Sequence, residues 1–326
     1  MACRISDITN PQIYSHWKNL TDRQEYGSIF LTPEWQHTWW EQFREDSKEL
    51  VLLVVGSEEF PSGFAPLVRE GNKLGFVGGT DLFDYHDFIF GDHDPAIFYK
   101  DLACCLKNQA WNRLELESIP EDSPTLTHLP SFLEEDGYST SIEVEDVVPG
   151  IILPPTWEDY LLGLRKKDRH ELRRKLRRLT AHGPYQLVRS NPEFLENDLD
   201  QFLDLMSESK EEKRDFMVPD RGEFFRNMVQ KAQSGGYLRM FFLELGDERV
   251  AGVICFDYSG HRLLYNSGYK LQYGRYSVGL LLKALVIEDA ITEGLTYFDF
   301  LRGAEPYKFH LGGREKNLYR MVVSRG

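Results

Sequence analysis

The 326-residue sequence has no apolar run that approaches the roughly 18 residues needed for a membrane-spanning helix. The N-terminal stretch MACRISDITNPQIYSHW also lacks the apolar centre of a secretory signal peptide. Cysteine is scarce: Cys3, Cys104, Cys105 and Cys255 fit no metal-ligand spacing, so four reduced thiols are expected. Together these absences predict a cytoplasmic protein without a membrane span.

Positive charge is also scarce over the whole chain. The 38 basic and 52 acidic residues give a formal net charge of −14, which argues against general binding to nucleic acid. One segment is the exception, because RKKDRHELRRKLRR at 165–178 holds nine basic residues. Asp168 and Glu171 lie within it and weaken its field, so strong binding to tRNA is not expected. A solvated charged face, a surface for nucleic acid or acidic lipid, and a contact with acidic parts of the same chain all remain open.

The sequence divides near its middle, at VVPGIILPPTWEDY. Pro154 and Pro155 cannot continue a helix, and Thr156 followed by Asp159 resembles a capping box. One helix is therefore expected to start near Trp157 and to run through the basic segment. With about 150 residues per domain as a prior, the predicted parts are an N-terminal domain at 1–155, a basic linker helix at 156–183 and a C-terminal domain at 184–326.

The two halves show a similar order of elements. In the second half, the strands YLRMFFLEL, RVAGVICFDY and HRLLYNSGY precede a helix at 278–293, a strand at 295–301, a loop, and a last strand near 317–324. The first half repeats the succession of three strands, a helix and a strand. This order predicts a duplicated α/β (α+β) fold, with mixed, mostly antiparallel sheets flanked by helices.

The helix at 278–293 has a start that suits an anion. Ser277 is a natural N-cap, and Gly279 in the first turn lets a ligand approach the backbone. The first amides of a helix are unpaired and carry positive potential, and Arg275 adds a cation. The pattern therefore fits a pyrophosphate site. An ordinary capped helix of the core accounts for the same residues.

In combination, these features resemble the GNAT acyltransferase superfamily, and more narrowly the CelD/FemAB-like acyltransferases, which carry two GNAT-like domains in tandem. The resemblance rests on YSVGLL at 276–281, YFDFLRG at 297–303 and EPYK at 305–308. The usual turn has more glycines (Q/R-x-x-G-x-G/A), so the second small position is taken from Ser277 and Gly279. The resemblance implies acyl-CoA as donor and no metal. The implied donor-binding residues are Tyr265, Asn266, Arg275, Tyr276, Ser277, Val278, Gly279 and Leu280.

Acyl transfer needs a base for the acceptor and an acid for the departing thiolate. Serine and cysteine are absent from any G-x-S-x-G-like motif, which favours direct transfer. Asp299, near the end of its strand, is the candidate base, and a structural hydrogen bond is its other interpretation. Tyr307 is the candidate acid, as the resemblance implies, and Glu305 is the next candidate base. Tyr269, Arg302 and Lys308 are the candidate substrate-binding residues, although Lys308 could equally be solvated.

The acidic stretch DYHDFIFGDHD in the first half matches no metal-ligand spacing, so a solvated loop is expected at Asp84, His86, Asp87, Asp92, His93 and Asp94. Because Asp92 and Asp94 would repel a phosphate, the donor is assigned to the second half alone. The expected acceptor is a small molecule or a cell-envelope or polysaccharide precursor. Two alternatives stay open: a FemX-like transferase that uses aminoacyl-tRNA, and a non-catalytic module that binds nucleic acid or acidic lipid through the basic helix.

Overall fold

The computed structural model describes residues 3–23, 28–57, 59–91, 94–209 and 219–325. The chain forms two compact units, Met1–Val147 with Lys316–Gly326, and Val148–Glu315. The last strand therefore lies mainly in the first unit, whereas the sequence analysis placed it in a domain at 184–326. The predicted domain boundaries differ from these units and stay a prediction.

The first unit is a sheet with helices packed on it. Its strands are β1 (Cys3–Ser6), β2 (Lys48–Gly56), β3 (Pro61–Glu70), β4 (Lys73–Phe76), β5 (Ile89–Phe90), β6 (Arg113–Pro120), the first part of β7 (Tyr138–Ile152) and most of β13 (Arg314–Arg325). Its helices are α1 (Pro11–Arg23), a 3-10 turn at Ile29–Leu31, α2 (Pro33–Phe43), α3 (Pro95–Lys107) and α4 (Thr125–Glu134). The strand order is β1-β2-β3-β4-β6-β13-β7, and β5 pairs with β3.

The second unit has the strand order β7-β12-β11-β10-β9-β8. Its further strands are β8 (Tyr185–Arg189), β9 (Leu238–Leu245), β10 (Glu248–Tyr258), β11 (His261–Tyr269) and β12 (Tyr297–Asp299). Its helices are α5 (Trp157–Gly163), α6 (Lys166–His182), a 3-10 turn at Pro192–Phe194, α7 (Leu195–Ser209), α8 (Pro219–Ser234), a 3-10 turn at Leu271–Tyr276, α9 (Val278–Thr292) and α10 (Pro306–His310).

The predicted duplication is confirmed by the pairing of the strands. In the first unit β2, β3 and β4 are antiparallel neighbours, and β6 then pairs in parallel with β4. In the second unit β9, β10 and β11 are antiparallel neighbours, and β12 then pairs in parallel with β11. Helix α3 precedes β6, and helix α9 precedes β12 in the same way. With these strand pairings, each unit is a mixed, mostly antiparallel sheet with helices on it.

The basic segment departs from the predicted single helix. The helical backbone breaks at Leu164 and Arg165, which are both extended, and separates α5 from α6. Arg169 stabilises the break, because its guanidinium donates to the carbonyls of Leu162 (3.0 Å) and Leu164 (3.5 Å), which α5 leaves unpaired. The predicted cap of α5 is confirmed: the Thr156 hydroxyl accepts a hydrogen bond from the backbone of Asp159 at 3.1 Å.

Helix α6 packs into the second unit on its apolar side. Leu172 and Leu179 are buried in the same cluster as Leu281 and Leu282 of α9. Arg262, which is fully buried, ties α9 to the sheet through Asp289 at 2.5 Å. Helix α9 is therefore buried, as its apolar sequence indicates, and the apolar side of α6 belongs to the same core cluster.

Three smaller predictions need correction. The predicted strand at 295–301 is only Tyr297–Asp299, and the loop after it contains the short helix α10. The elements β1, α1 and β5 were not predicted. Cys3 of β1 and Cys105 of α3 form a disulfide, so the expectation of four reduced thiols was wrong for this pair. Cys104 and Cys255 are free.

No helix in the described part of the chain is long and apolar enough to cross a membrane.

Candidate functional site

Strands β11 and β12 separate after three residue pairs. Their parallel pairing joins 261–263 to 297–299, and β11 then continues to Tyr269 beyond the end of β12. The register between β10 and β11 shifts in this part, because Ile254 pairs with Asn266 and Cys255 with Leu264. Tyr265 is thus the extra residue of a β-bulge, which interrupts the ladder at the place where the two strands part. Such an opening between two strands suits an extended ligand, since an extended chain can lie alongside a strand.

Helix α9 begins beside the end of β11. A Cβ atom on Gly279 would lie 2.9 Å from the ring of Tyr269, so only glycine allows the helix to pack this closely on the strand. The backbone amides of Val278 and Gly279 are in the first turn, where a helix offers no internal acceptor. The first turn of α9 therefore presents unpaired donors next to the separating strands.

Ser277 is the N-terminal boundary residue of α9, but its side chain does not cap the helix. Its backbone is left-handed (φ 60°, ψ 35°), and the side chain makes no hydrogen bond to the first turn. The hydroxyl instead accepts hydrogen bonds from Lys175 Nζ at 2.7 Å and from Arg178 Nη2 at 3.4 Å. The prediction of a serine N-cap was wrong, because the hydroxyl faces α6.

The turn before α9 is held by contacts with α6 and β10. The ring of Tyr276 stacks on His182 at 4.1 Å, and the guanidinium of Arg275 lies 4.7 Å from the centre of the same ring. The Tyr273 hydroxyl donates to Glu248 at 2.5 Å. The turn is therefore fixed from two sides, which orders the approach to the start of α9.

Asp299 is buried at the last residue of β12. Its Oδ1 atom accepts a hydrogen bond from the backbone amide of Leu301 at 2.8 Å. Leu301 has a left-handed backbone (φ 59°), which is costly for a residue with a branched side chain, and this bond stabilises the turn. The contact is the structural hydrogen bond that the sequence allowed as the second interpretation. The role of Asp299 as a base stays a prediction.

Lys308 is buried rather than solvated. Its ammonium group donates to the carbonyls of Leu301 (2.9 Å), Arg302 (2.5 Å) and Gly303 (3.0 Å), and Glu305 lies 2.9 Å away. An ammonium group has three protons, so these carbonyls use all of its donors. The contacts support a structural role in the loop after β12, against the predicted contact with substrate.

Tyr307 lies half-buried in α10, with its ring edge-on to Phe300 at 6.2 Å. Burial, together with the charge of Glu305, raises the pKa of Tyr307 above its usual range. The hydroxyl therefore stays protonated at neutral pH and can donate a hydrogen bond. Lys283 of α9, which the sequence analysis missed, places its ammonium group 4.8 Å from the centre of this ring.

Lys283 links the start of α9 to Tyr307 of α10. It is buried, and its Nζ atom donates to the carbonyl of Gly279 at 3.1 Å while it faces Tyr307. The sign of this role in the sequence is the lysine inside the apolar run from Val278 to Ile287. Burying an ammonium group is costly unless polar partners surround it. A lysine inside an apolar helix pattern therefore indicates that the fold supplies such partners.

The remaining predicted residues are placed as follows. Tyr265 packs against Phe225 and Phe256, with ring centres at 5.5 and 5.3 Å. Asn266 accepts a hydrogen bond from the backbone of Ser267 at 2.9 Å. Val278 is buried in the core, while Leu280 and Arg302 are half-buried. The structure thus brings the start of α9, the bulge of β11 and the loop after β12 into one unit.

The acidic stretch of the first unit is not a solvated loop. The buried ring of His86 lies between Phe76 and Phe83, with ring centres at 5.5 and 4.8 Å. Asp87 accepts a hydrogen bond from the Thr125 hydroxyl at 2.5 Å, and burial raises the pKa of Asp87 to about 6. Asp84 is half-buried. Asp92 and His93 lie outside the described residues.

Asp94 distinguishes the start of α3 in the first unit from the start of α9 in the second unit. Its carboxylate accepts a hydrogen bond from the amide of Ala96 at 2.9 Å and so caps α3. An acidic cap is unfavourable for a phosphate, as predicted from the sequence. In the described ranges, no three His, Cys, Asp or Glu side chains are grouped to hold a metal ion.

A cavity of about 230 Å³ lies in the first unit where β4 ends and β6 continues. Its lining includes Trp39, Lys73, His86 and Glu115. Glu115 occupies the same pairing position on β6 that Asp299 occupies on β12, since each is the last of three residues paired with the preceding parallel strand. In the first unit this carboxylate is ion-paired with Lys73 and Arg320.

Comparisons with known proteins extend these observations. Residues 166–309 match the sequence model of the family described as an acetyltransferase (GNAT) domain, and the match begins with the basic helix α6. No curated protein matches the sequence.

Three solved structures share the fold over most of the chain. A FemX crystal structure has a TM-score of 0.65 and 11% identity, covering 98% of this chain and 97% of that one. The C-terminal domain of a putative lysylphosphatidylglycerol synthetase from Agrobacterium fabrum has a TM-score of 0.59 and 12% identity, covering 96% and 92%. A tandem GNAT protein from the clavulanic acid biosynthesis pathway has a TM-score of 0.51 and 11% identity, covering 100% and 98%. At these identities the likeness concerns the fold alone. Residues 166–309 are therefore similar to a GNAT acetyltransferase domain, and the chain as a whole has a fold like that of a tandem GNAT protein.

Proposed function

We propose that this protein transfers an acyl group from acyl-CoA directly to an amine or hydroxyl of an acceptor. The observation that carries the proposal is the opening between β11 and β12 beside the start of α9, within the matched GNAT domain. An acyl-pantetheine arm is extended and carries amides, so it suits the part of β11 that continues past the end of β12. The pyrophosphate suits the unpaired amides of the first turn of α9.

The proposed donor site uses residues from the turn and the first helical turn. Arg275, Ser277 and Gly279 lie at the entrance to α9, and Val278 anchors the helix in the core. The close packing of Gly279 on Tyr269 brings the helix start to the strand edge. One bound molecule could therefore contact both the helix start and the strand edge, which is the arrangement that a thioester donor needs.

In the proposed reaction the acceptor nitrogen or oxygen attacks the thioester carbonyl, and the carbon–sulfur bond breaks. Asp299 takes the proton from the acceptor, directly or through water. Tyr307 donates a hydrogen bond to the departing sulfur, since a phenol is protonated at neutral pH. Glu305 is exposed and paired with Lys308, so it stays the second candidate for the base. The only free cysteine of the second unit, Cys255, is buried, and burial raises its pKa, which fits direct transfer without an acyl-enzyme.

A transferase that takes its acyl group from aminoacyl-tRNA is the second candidate, because the structural likeness to FemX is high over the whole chain. The basic helix gives this candidate little support. Arg173 pairs with Glu158, Arg174 with Glu171, and Arg169 with carbonyls of α5. These three cations are engaged within the unit, which makes them less available to the phosphates of an RNA.

The narrower CelD/FemAB-like assignment, a cytoplasmic location and an acceptor of the cell-envelope or polysaccharide type belong to the same proposal.

The test is a comparison of melting curves for the full chain with CoA, with acetyl-CoA, with tRNA and without ligand. A ligand that binds the native state raises the melting temperature. We expect a rise with CoA and acetyl-CoA alone. A rise with tRNA alone would replace the first candidate with the second, and no rise with any of them would contradict both.

A further inference from the structure

The positive charges of α6 are unevenly compensated. Several of the basic residues of this helix have acceptors of their own, as described above for Arg169, Arg173 and Arg174. Lys175 and Arg178 differ, because both side chains point at one neutral atom, the Ser277 hydroxyl oxygen.

A hydroxyl oxygen has no charge to offset two cations. The carboxylate nearest to Lys175 is that of Glu171 at 3.4 Å, which already forms two hydrogen bonds with Arg174 at 2.7 and 2.8 Å. Arg178 has no ion-pair partner in the described part of the chain, and its buried Nε atom has no hydrogen-bond acceptor there. Lys175 and Arg178 repel each other because both are positively charged. An anion bound between them would attract both side chains.

The two cations meet the start of α9 at the same point. Ser277 directly precedes Val278 and Gly279, whose amides lie in the unpaired first turn, and the helix dipole adds positive potential there. Lys175 lies 102 residues before Ser277 in the sequence, and Arg178 lies 99 residues before it. The fold therefore combines charge from one segment with backbone donors from another.

We propose that Lys175 and Arg178 bind the pyrophosphate of the donor together with the start of α9. This inference rests on the proposed function, because it assigns further binding residues to the same donor site. A guanidinium offers paired donors that match phosphate oxygens, and an ammonium group adds a compact point charge. The basic segment is thus a part of the donor site rather than an RNA surface, a lipid surface or a solvated face.

Calorimetric titration of the full chain tests the inference, with CoA and 3′-dephospho-CoA as the two probes. The variants are Lys175→Gln, Arg178→Gln and the double variant. Arg177→Gln is the matched control, because Arg177 is exposed on the same helix and has no ion pair in the described residues. Arg178→Lys and Lys175→Arg keep the charge and control for folding.

We expect each glutamine variant to weaken binding about ten-fold or more. A ten-fold loss corresponds to about 1.4 kcal/mol, which is within the usual effect of removing a hydrogen bond to a charged group. The loss should be equal for both probes, because both contain the pyrophosphate. The control should bind as the parent protein does, and the charge-keeping variants should retain most of the affinity.

The outcomes separate this inference from the proposed function. No CoA binding by the parent protein contradicts the proposed function and the inference with it. Normal CoA binding by a folded double variant overturns the inference alone. A loss with CoA that is absent with 3′-dephospho-CoA assigns the cations to the 3′-phosphate and also overturns it. Loss of tRNA binding with CoA binding intact would make the segment an RNA surface, which is the rejected alternative.

Discussion

Replacing Lys308 with methionine separates a structural lysine from a substrate-binding one. Methionine has nearly the same length and shape, so Lys308→Met removes the charge and the donors without leaving a large cavity. In the parent protein the ammonium group satisfies the carbonyls of Leu301, Arg302 and Gly303. The bond to Leu301 is buried, whereas water can reach the other two carbonyls in part.

The expected loss follows from this difference in burial. A buried carbonyl left without a partner costs about 1–3 kcal/mol, and the two partly buried carbonyls cost less because water replaces the lysine. We expect a total loss of about 2–4 kcal/mol in the free energy of unfolding. For a chain region of this size each kcal/mol lowers the melting temperature by about 2–4 °C, so the variant should melt roughly 4–16 °C lower.

The assay combines chemical denaturation with steady-state kinetics, and Lys167→Met on the exposed side of α6 is the control. If Lys308 is structural, the variant should have lower stability and a lower kcat, since the loop between Asp299 and Glu305 loses its order. An unchanged melting temperature together with a raised KM for the acceptor would refute this reasoning, because it would mean that the ammonium group is free for substrate.

Three further predictions concern other parts of the molecule. Asp299→Asn and Tyr307→Phe should each lower kcat at saturating acyl-CoA by about 10²–10⁴ with a retained fold, the usual effect of losing a general acid or base. A normal rate in a folded variant would leave that residue with a structural role. Asp87, with its pKa raised to about 6, contributes most to stability below about pH 4, and this contribution is lost as the pH rises through 6 because the folded state must then bury a charge. Asp87→Asn should therefore stabilise the protein more at pH 7.5 than at pH 4.5, and a difference that does not vary with pH would contradict the burial of this carboxyl. In denatured, unreduced protein a thiol reagent should titrate two cysteines, since Cys3 and Cys105 are paired, whereas four reactive thiols would support the original expectation.

The order of strands and helices could be read from the sequence because it depends on local patterns. The helix at 278–293 is apolar on nearly every side, and glycine turns separate the three strands before it. These features are set by neighbouring residues along the chain. The same reasoning recovered the repeat of three strands, a helix and a strand in the first half.

The site was harder to predict because its contacts join distant segments. The serine before α9 looked like an ordinary cap, and only the packing of α6 shows that its hydroxyl faces Lys175 and Arg178. The sequence suggested that Lys308 contacts substrate or solvent. In the structure α10 directs its side chain back to the carbonyl of Leu301. The contacts of Ser277 span 102 and 99 residues, and those of Lys308 span only five to seven. Both depend on side-chain burial and on the choice of partner, which periodicity does not reveal.

The direct test of the central claim is thiol release from acetyl-CoA by the purified full chain, measured with a panel of amine and hydroxyl acceptors. The account predicts acceptor-dependent release of CoA, with acetylated acceptor found by mass spectrometry in equal amount, and a strong reduction in Asp299→Asn. Binding of acetyl-CoA without acceptor-dependent release of CoA for any member of the panel would contradict acyl transfer to an amine or hydroxyl. If neither CoA nor acetyl-CoA binds at millimolar concentration, the donor assignment at the start of α9 is contradicted.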